Sequence, residues 1–491
     1  MPFKKFKSLK KWEVELGIKH VENEYPWDQD LAEIHWEEVT DYCCNDVLAT
    51  KAVFDATKPE FAAKKILARL AGGTVNDKTN KLITKIIFGD EKHPQSEFNY
   101  RNLAEPCEDK PYFLGYSYQY DEKAKKYVST YRGEEVGEGG YVYAEPGMYS
   151  DVALLDVASM HPSSIIAENL FGDEYTNRYK EIKSSRIDIK HRDFESLKTK
   201  LDGVISDIIA EDNLGEEDMD SLQHALKIVI NSVYGLTAAT FDCEFHDPRN
   251  IDNIVAKRGA LFMIDLKHAV QEQGYTVAHI KTDSIKIPNA DDYILNFVME
   301  FGKKYGYTFE HEATYDRMCL VNDAVYIAKY KEKDGKPCDK WTATGAQFQH
   351  PYIFKTMFSK EPITFEDVCE TKSVSGNAVI RMIKDDKEVF VGKVGKFIPV
   401  KADCGGYELY RCSEDKKTGK QKRSSLSGTT GYWFIDALAY PGSDISSIKD
   451  KVDYDGYFAD LCDKAYENMS QYGDVIAFCT DPKFHVDVKD I

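Results

Sequence analysis

No stretch of this 491-residue chain approaches the roughly 18 consecutive apolar residues of a membrane-spanning helix, so no part of it is expected to cross a bilayer. The opening segment, MPFKKFKSLKKWEVELG, is basic but lacks the apolar core of a secretory signal. Eleven cysteines are scattered without one C-x-x-C pair, which argues against a zinc ribbon and gives no disulfide framework; a reducing cytoplasm fits. Positive charge is scarce. Sixty-four Lys and Arg stand against 83 Asp and Glu, a net charge of -19, which argues against a protein that coats nucleic acid by bulk charge, because phosphate neutralisation needs clustered cations. Any contact with nucleic acid must be local. There is also no internal repeat and no low-complexity tract.

What is present is an ordinary globular composition, 42% hydrophobic and 12% aromatic, in a chain long enough for about two to four domains. Three charged breaks interrupt the pattern, at 120–140, 329–340 and 413–425, and the last two are expected to be exposed hairpin turns. Residues 376–412 are strand-rich, and 452–472 reads as a helix with Tyr457, Leu461 and Ala465 at i, i+4, i+8. In the middle, VALLDV (152–157) reads as a short buried strand, SLQHALKIVINSVYGL as a helix and YTVAHIKTDSIKIP as a β-hairpin. Together they predict a mixed α+β layer.

At about 100° per residue, Lys227, Asn231 and Tyr234 fall within roughly 60° of one another on that helix, away from Leu226, Val229, Ile230 and Val233. Taken alone, the stripe is as readily a solvated face as a ligand-binding one. Two aspartates change its context. Asp156 closes a buried strand, where a carboxylate is costly unless it is paired or ligates a metal, and Asp283 stands at the hairpin tip. Two carboxylates from sequence-distant strands, with a lysine-bearing helix between them in the chain, are the requirements of two-metal phosphoryl transfer.

DVASMHPSSI (156–165), KIVINSVYG (227–235) and KTDS (281–284), in that order, resemble the three polymerase motifs of the family B DNA polymerases of the bacteriophage type. GGYVYAEPGMYSDVALLD (139–156) and IVAKRGALFMI resemble the flanking segments of that family, and the resemblance thins beyond about residue 350. It implies a right-hand polymerase fold: an exonuclease-domain remnant at 1–60, a connecting region at 61–138, palm at 139–172 and 239–350, fingers at 173–238, and a thumb-like region at 351–491. It further implies Asp156 and Asp283 as catalytic ligands of two Mg2+ ions (Mn2+ as substitute), with the Val157 carbonyl as a third ligand. Ser159 and Met160 would offer backbone N–H groups to the triphosphate, Lys227 would bind it, and Asn231, Tyr234 and Gly235 would line the nascent base pair. Arg186 and Lys190, at i, i+4, would form a second phosphate clamp. Lys281, Thr282 and Tyr326 would face the primer, Tyr326 resembling the tyrosine of a K-x-Y motif whose lysine position is here Ala324.

Two positions depart from the family pattern. His161 stands where the family has a tyrosine beneath the nucleotide sugar, and Lys281 replaces the first aspartate of D-T-D-S. Near the start, Tyr42 and Asp46 have the Y-x-x-x-D spacing of a 3'-5' exonuclease motif, with no D-x-E acid pair before them. The expected function is a template-directed DNA polymerase acting on primer-template DNA and dNTPs, without proofreading of its own and with a separate exonuclease-bearing polypeptide as partner. Its place would be the cytoplasm, a host cell's if the chain is of phage origin. The alternative is a non-catalytic polymerase-fold subunit that binds DNA or a replisome partner; a protein-primed enzyme fits less well, because the 71 residues from Asp156 to Lys227 leave little room for an insertion.

Overall fold

The computed structural model describes residues 7–25, 30–32, 35–211, 215–384, 387–414, 418, 420–426, 431–435 and 449–486. The first six residues of the basic start, and 415–417 and 419 of the third charged break, lie outside these. The fold is the expected mixture of helix and sheet, divided into two compact units: Met1–Lys58 with Gly345–Gln471, and Pro59–Thr344 with Tyr472–Ile491.

The larger unit is built on one sheet. In chain order its strands are β4 (Val142–Ala144), β5 (Gly147–Val157), β6 (His279–Lys281), β7 (Ser284–Pro288), β8 (Phe309–Asn322), β9 (Val325–Lys333), β10 (Lys336–Pro337) and β11 (Trp341–Thr344). They are ordered β10-β9-β8-β5-β7-β6-β4, with β11 also on β9. A strand inside a covered sheet must be apolar on both sides. The 11-residue β5 is mostly so, with Ser150, Asp151 and Asp156 as its polar members, and it runs five residues further back than VALLDV suggested. Its odd-numbered side chains Ala153, Leu155 and Val157 join Ile280, Ile285 and Ile287 against the helices Ile254–Glu272 and Asp292–Lys304. Val152 and Leu154 point to the opposite face, with Tyr315 and Met318.

A helical layer of Lys58–Leu70, Thr79–Phe88, α5 (Met160–Glu168), α6 (Gly172–His191) and α7 (Glu216–Thr237) shares a second core, and buried Tyr179 of α6 donates its hydroxyl to the Ile230 carbonyl of α7 at 2.7 Å. The first charged break folds largely as a small antiparallel sheet of β1 (Ser117–Asp121), β2 (Lys126–Tyr131) and β3 (Glu134–Val136).

The thumb-like region expected at 351–491 divides between the two units, and its last segment returns to the main sheet. There, buried Arg317 donates to the carbonyls of Phe478 and Asp481 at 2.8 and 2.7 Å, and the Ser150 hydroxyl meets the Val486 backbone at 3.1 Å.

The smaller unit joins the expected exonuclease remnant to the C-terminal strands β12 (Glu370–Ser373), β13 (Val379–Lys384), β14 (Lys387–Gly392), β15 (Val394–Pro399), β16 (Glu408–Glu414), β17 (Gln421–Ser425) and β18 (Tyr432–Ile435). Polar contacts tie the two parts. Fully buried Glu13, on helix Leu9–Leu16, accepts from Lys10, Asn45 and His20, and the other ring nitrogen of His20 meets the Val394 carbonyl at 3.0 Å. Glu22 accepts from the Lys393 backbone at 2.8 Å. The charged breaks at 329–340 and 413–425 fall where β9 turns into β10 and β16 leads to β17, as expected.

Candidate active site

Strand register brings the two aspartates together. Asp156 sits opposite Ser284, and the Val157 N–H donates to the Asp283 carbonyl at 2.8 Å. The tip between β6 and β7 is tight: the Asp283 N–H returns to the Lys281 carbonyl at 2.8 Å around Thr282, whose φ of 58° is left-handed. A threonine pays for that conformation with strain and holds it only where neighbours enforce it. Here the Thr282 N–H donates to the Tyr141 carbonyl at 2.9 Å, and the chain passes so close at Gly140 that a Cβ there would lie 3.0 Å from Thr282 Cγ2. The strand is therefore not regular up to Asp283. Lys281 pairs with Ser284, and so shares the sheet face of Asp156.

Neither aspartate side chain has an ion pair among the described residues. Burial, then Asp283, Glu312 and Glu310, push Asp156 up to about 7, opposed by Lys286. Burial and then Glu312 also raise Asp283. Glu310 lies opposite Asp156 on β8, and Glu312 falls where the pairing of β5 and β8 shifts register. Among the described residues no group of three or more His, Cys, Asp or Glu side chains forms a metal cage. Two unpaired, mutually repelling carboxylates nevertheless fit Mg2+, which binds through one or two carboxylates and completes its shell with water and phosphate oxygens. The residues of the site suit the implied ions.

Immediately after β5, Ser159 (φ 61°) starts α5, whose first-turn N–H groups have no intrahelical acceptor and so suit an anion. Met160, in that turn, is packed against Gly259, where a Cβ would come within 2.6 Å of its sulfur. This contact explains the glycine of IVAKRGALFMI. His161 lies one residue on. Its ring stacks on Tyr234 of α7 with centroids 3.9 Å apart and planes 12° from parallel. Burial pushes its pKa down to about 4, so the ring is neutral at pH 7, and its Nδ1 is buried without a hydrogen-bond partner.

On α7, Leu226, Val229, Ile230 and Val233 are buried, whereas Lys227 and Tyr234 are half-buried and Asn231 and Gly235 exposed. The polar stripe therefore faces away from the core. On α6, Arg186 is half-buried with Nε unpartnered, and it feels the charge of Glu310; Lys190 is exposed. The structure adds Lys183, one turn before Arg186, whose Nζ donates to Ser163 Oγ at 2.7 Å and whose pKa is lowered by burial. The i, i+4 spacing of Arg and Lys drew attention to Lys190, while i-3 gives the second cation that turns inward with Arg186. Lys286 and His279 were also missed, although their period-2 placement with Lys281 and Ser284 carried the signal: polar residues on one face of apolar strands. Tyr326, on β9, lies against both, with its ring 5.9 Å from that of His279 and beneath Lys286 Nζ at 5.2 Å.

Tyr42 and Asp46 do not take part in this site. Asp46 is ion-paired with Lys10 at 2.6 Å, and the same ammonium lies 4.1 Å from the Tyr42 ring centroid.

Over 165 residues, 32% of this chain, the sequence is 30% identical to DNA polymerase II of Escherichia coli (strain K12). A relationship to DNA polymerases is supported. The matched stretch spans 21% of that protein's length. Among solved structures, the family B DNA polymerase from the hyperthermophilic archaeon Pyrobaculum calidifontis aligns with 98% of this chain and 62% of its own, at 12% identity and a TM-score of 0.42. No family model matches the sequence. Among the described residues no helix is long and apolar enough to cross a membrane, and no two cysteines are joined by a disulfide.

Proposed function

We propose that this chain is a template-directed DNA polymerase of the family B kind, adding deoxynucleotides to a primer 3'-end by two-metal phosphoryl transfer. The observation that carries the reading is the meeting of its three motifs: Asp156 on β5 beside Asp283 at the tip of the β6–β7 hairpin, and His161 stacked on Tyr234. Two Mg2+ ions held by Asp156, Asp283 and the Val157 carbonyl would neutralise phosphate charge and activate the primer hydroxyl.

The chain's own groups have distinct tasks. The N–H groups at Ser159 and Met160 receive the triphosphate, and Lys227, Lys183 and Arg186 offer it cations. The neutral His161 ring, backed by Tyr234, lies under the sugar. Lys281, Thr282 and Tyr326 face the primer end. Two half-buried carboxylates without an ion pair are costly to a fold, which favours catalysis over a purely binding role.

Tyr42 and Asp46 are bound up with Lys10, so we assign them to the architecture of the smaller unit and proofreading to a separate exonuclease-bearing polypeptide. Primer extension on a primed template with Mg2+ and dNTPs tests the reading: templated addition is expected, and a chain that binds the DNA without extending it contradicts it.

A further inference from the structure

Beneath the carboxylates lies a cation that the polymerase reading leaves without a task. Lys286 is only 3% exposed, and its Nζ lies 3.1 Å from His279 Nδ1. His279 is fully buried, with Nε2 3.1 Å from the Asp323 carbonyl. A carbonyl oxygen only accepts, so the proton sits on Nε2 and Nδ1 offers its lone pair to the ammonium. The Tyr326 ring covers the same ammonium at 5.2 Å. Lys286 is thus held by His279 and covered by Tyr326, with almost none of it open to solvent.

Register fixes what it faces. Lys286 pairs with Leu154 and Ser284 with Asp156, so Lys286 and Asp156 are diagonal neighbours on one sheet face, with backbones roughly 7–8 Å apart. The charges of Lys281, Asp156, Glu312 and Asp283 all act on it, the first against the ammonium and the three carboxylates for it, yet among the described residues it forms no ion pair. A buried ammonium outside a salt bridge is costly and calls for a reason.

We propose that Lys286 is a fixed countercharge for the Asp156–Asp283 pair, positioned by His279, which keeps divalent cations weakly bound until a nucleotide's phosphates arrive. This rests on the metal-binding reading of that pair. The ammonium repels any divalent cation drawn to the carboxylates, and triphosphate oxygens supply the missing negative charge. Lys286 acts through the aspartates and is therefore a positioning residue.

The test is Mn2+ titration of the full chain without nucleotide or DNA, with free Mn2+ followed by electron paramagnetic resonance. Lys286→Met, uncharged and of similar length, is expected to bind Mn2+ at least about tenfold more tightly than wild type. His279→Gln keeps a donor for Asp323 and an acceptor for Lys286, and should stay within about twofold of wild type; a larger change overturns the positioning role of His279. Equal or weaker Mn2+ binding by Lys286→Met overturns the proposal. So does loss of the folded circular-dichroism spectrum in both Lys286→Met and Lys286→Gln, which would make the lysine a structural anchor. Asp283→Asn should abolish Mn2+ binding; if it does not, the metal reading of the pair fails, whatever Lys286 does.

Discussion

Replacing Asp156 by asparagine should make the metal-free protein more stable while removing its activity. Asp156 is held at about 7 in the folded chain by burial and by Asp283, Glu312 and Glu310, against an ordinary value of 3.8. A carboxyl raised in the folded state contributes its full stability below pH 3.8, where both folded and unfolded chains carry the proton. Between about pH 4 and 7 the unfolded chain releases the proton and the folded one keeps it, so that contribution is lost as pH rises and is gone above 7. Full conversion of the difference gives about 4 kcal/mol. The carboxylate keeps partial contact with solvent, and screening cuts this to about 1–2 kcal/mol. Asp156→Asn carries no such penalty. At pH 8 with EDTA it should melt about 2–5 °C above wild type by circular dichroism, and the difference should vanish near pH 4. Added Mg2+ should stabilise wild type alone and close the gap. An asparagine variant no more stable than wild type at pH 8, or an advantage that persists at pH 4, would refute the reasoning.

Three further outcomes are expected. His161→Ala removes the neutral ring stacked on Tyr234 and should raise the use of ribonucleotides relative to deoxynucleotides in single-nucleotide incorporation; an unmoved ratio places the sugar gate elsewhere. Lys281 shares the sheet face of Asp156, so Lys281→Ala should lose about tenfold in kcat/KM, on the order of 1.4 kcal/mol, while Lys281→Asp stays active with altered metal dependence. A wild type that is inactive while Lys281→Asp polymerises would mark a disabled site and favour a DNA-binding subunit. Asp46→Asn breaks a half-exposed ion pair with Lys10 and should cost the smaller unit about 1 kcal/mol in denaturant titration, with no effect on primer degradation; loss of a 3'-5' exonuclease activity in this variant would restore the motif reading of Tyr42 and Asp46.

The parts of the site that could be read from the sequence are those written in local pattern. Asp156 stands one residue before the end of β5, directly after the apolar run Val152–Leu155, and the hairpin shows itself by alternation on both sides of Thr282 and Asp283. The polar stripe of α7 follows from helical geometry alone, and the structure turns it away from the core. What escaped depends on pairing between distant segments. Glu310 and Glu312 meet Asp156 only because β8 lies beside β5, and a register shift there has no signature in either strand. In the sequence Lys286 is one polar member of an alternating strand, and only the packing of His279 and Tyr326 shows it to be buried. The Y-x-x-x-D spacing also holds no sign that Lys10, 36 residues before Asp46, pairs with the carboxylate. The C-terminal region likewise read as one block because nothing local records that Arg317 reaches Phe478 and Asp481.

The central claim is that Asp156 and Asp283 form one phosphoryl-transfer site. Its most direct test is extension of a labelled primer on a template by wild type and by Asp283→Asn, with Mg2+ and with the fold of both checked by circular dichroism. Wild type is expected to add the templated nucleotides and Asp283→Asn to add none; a folded Asp283→Asn protein that extends the primer as wild type does would contradict the account.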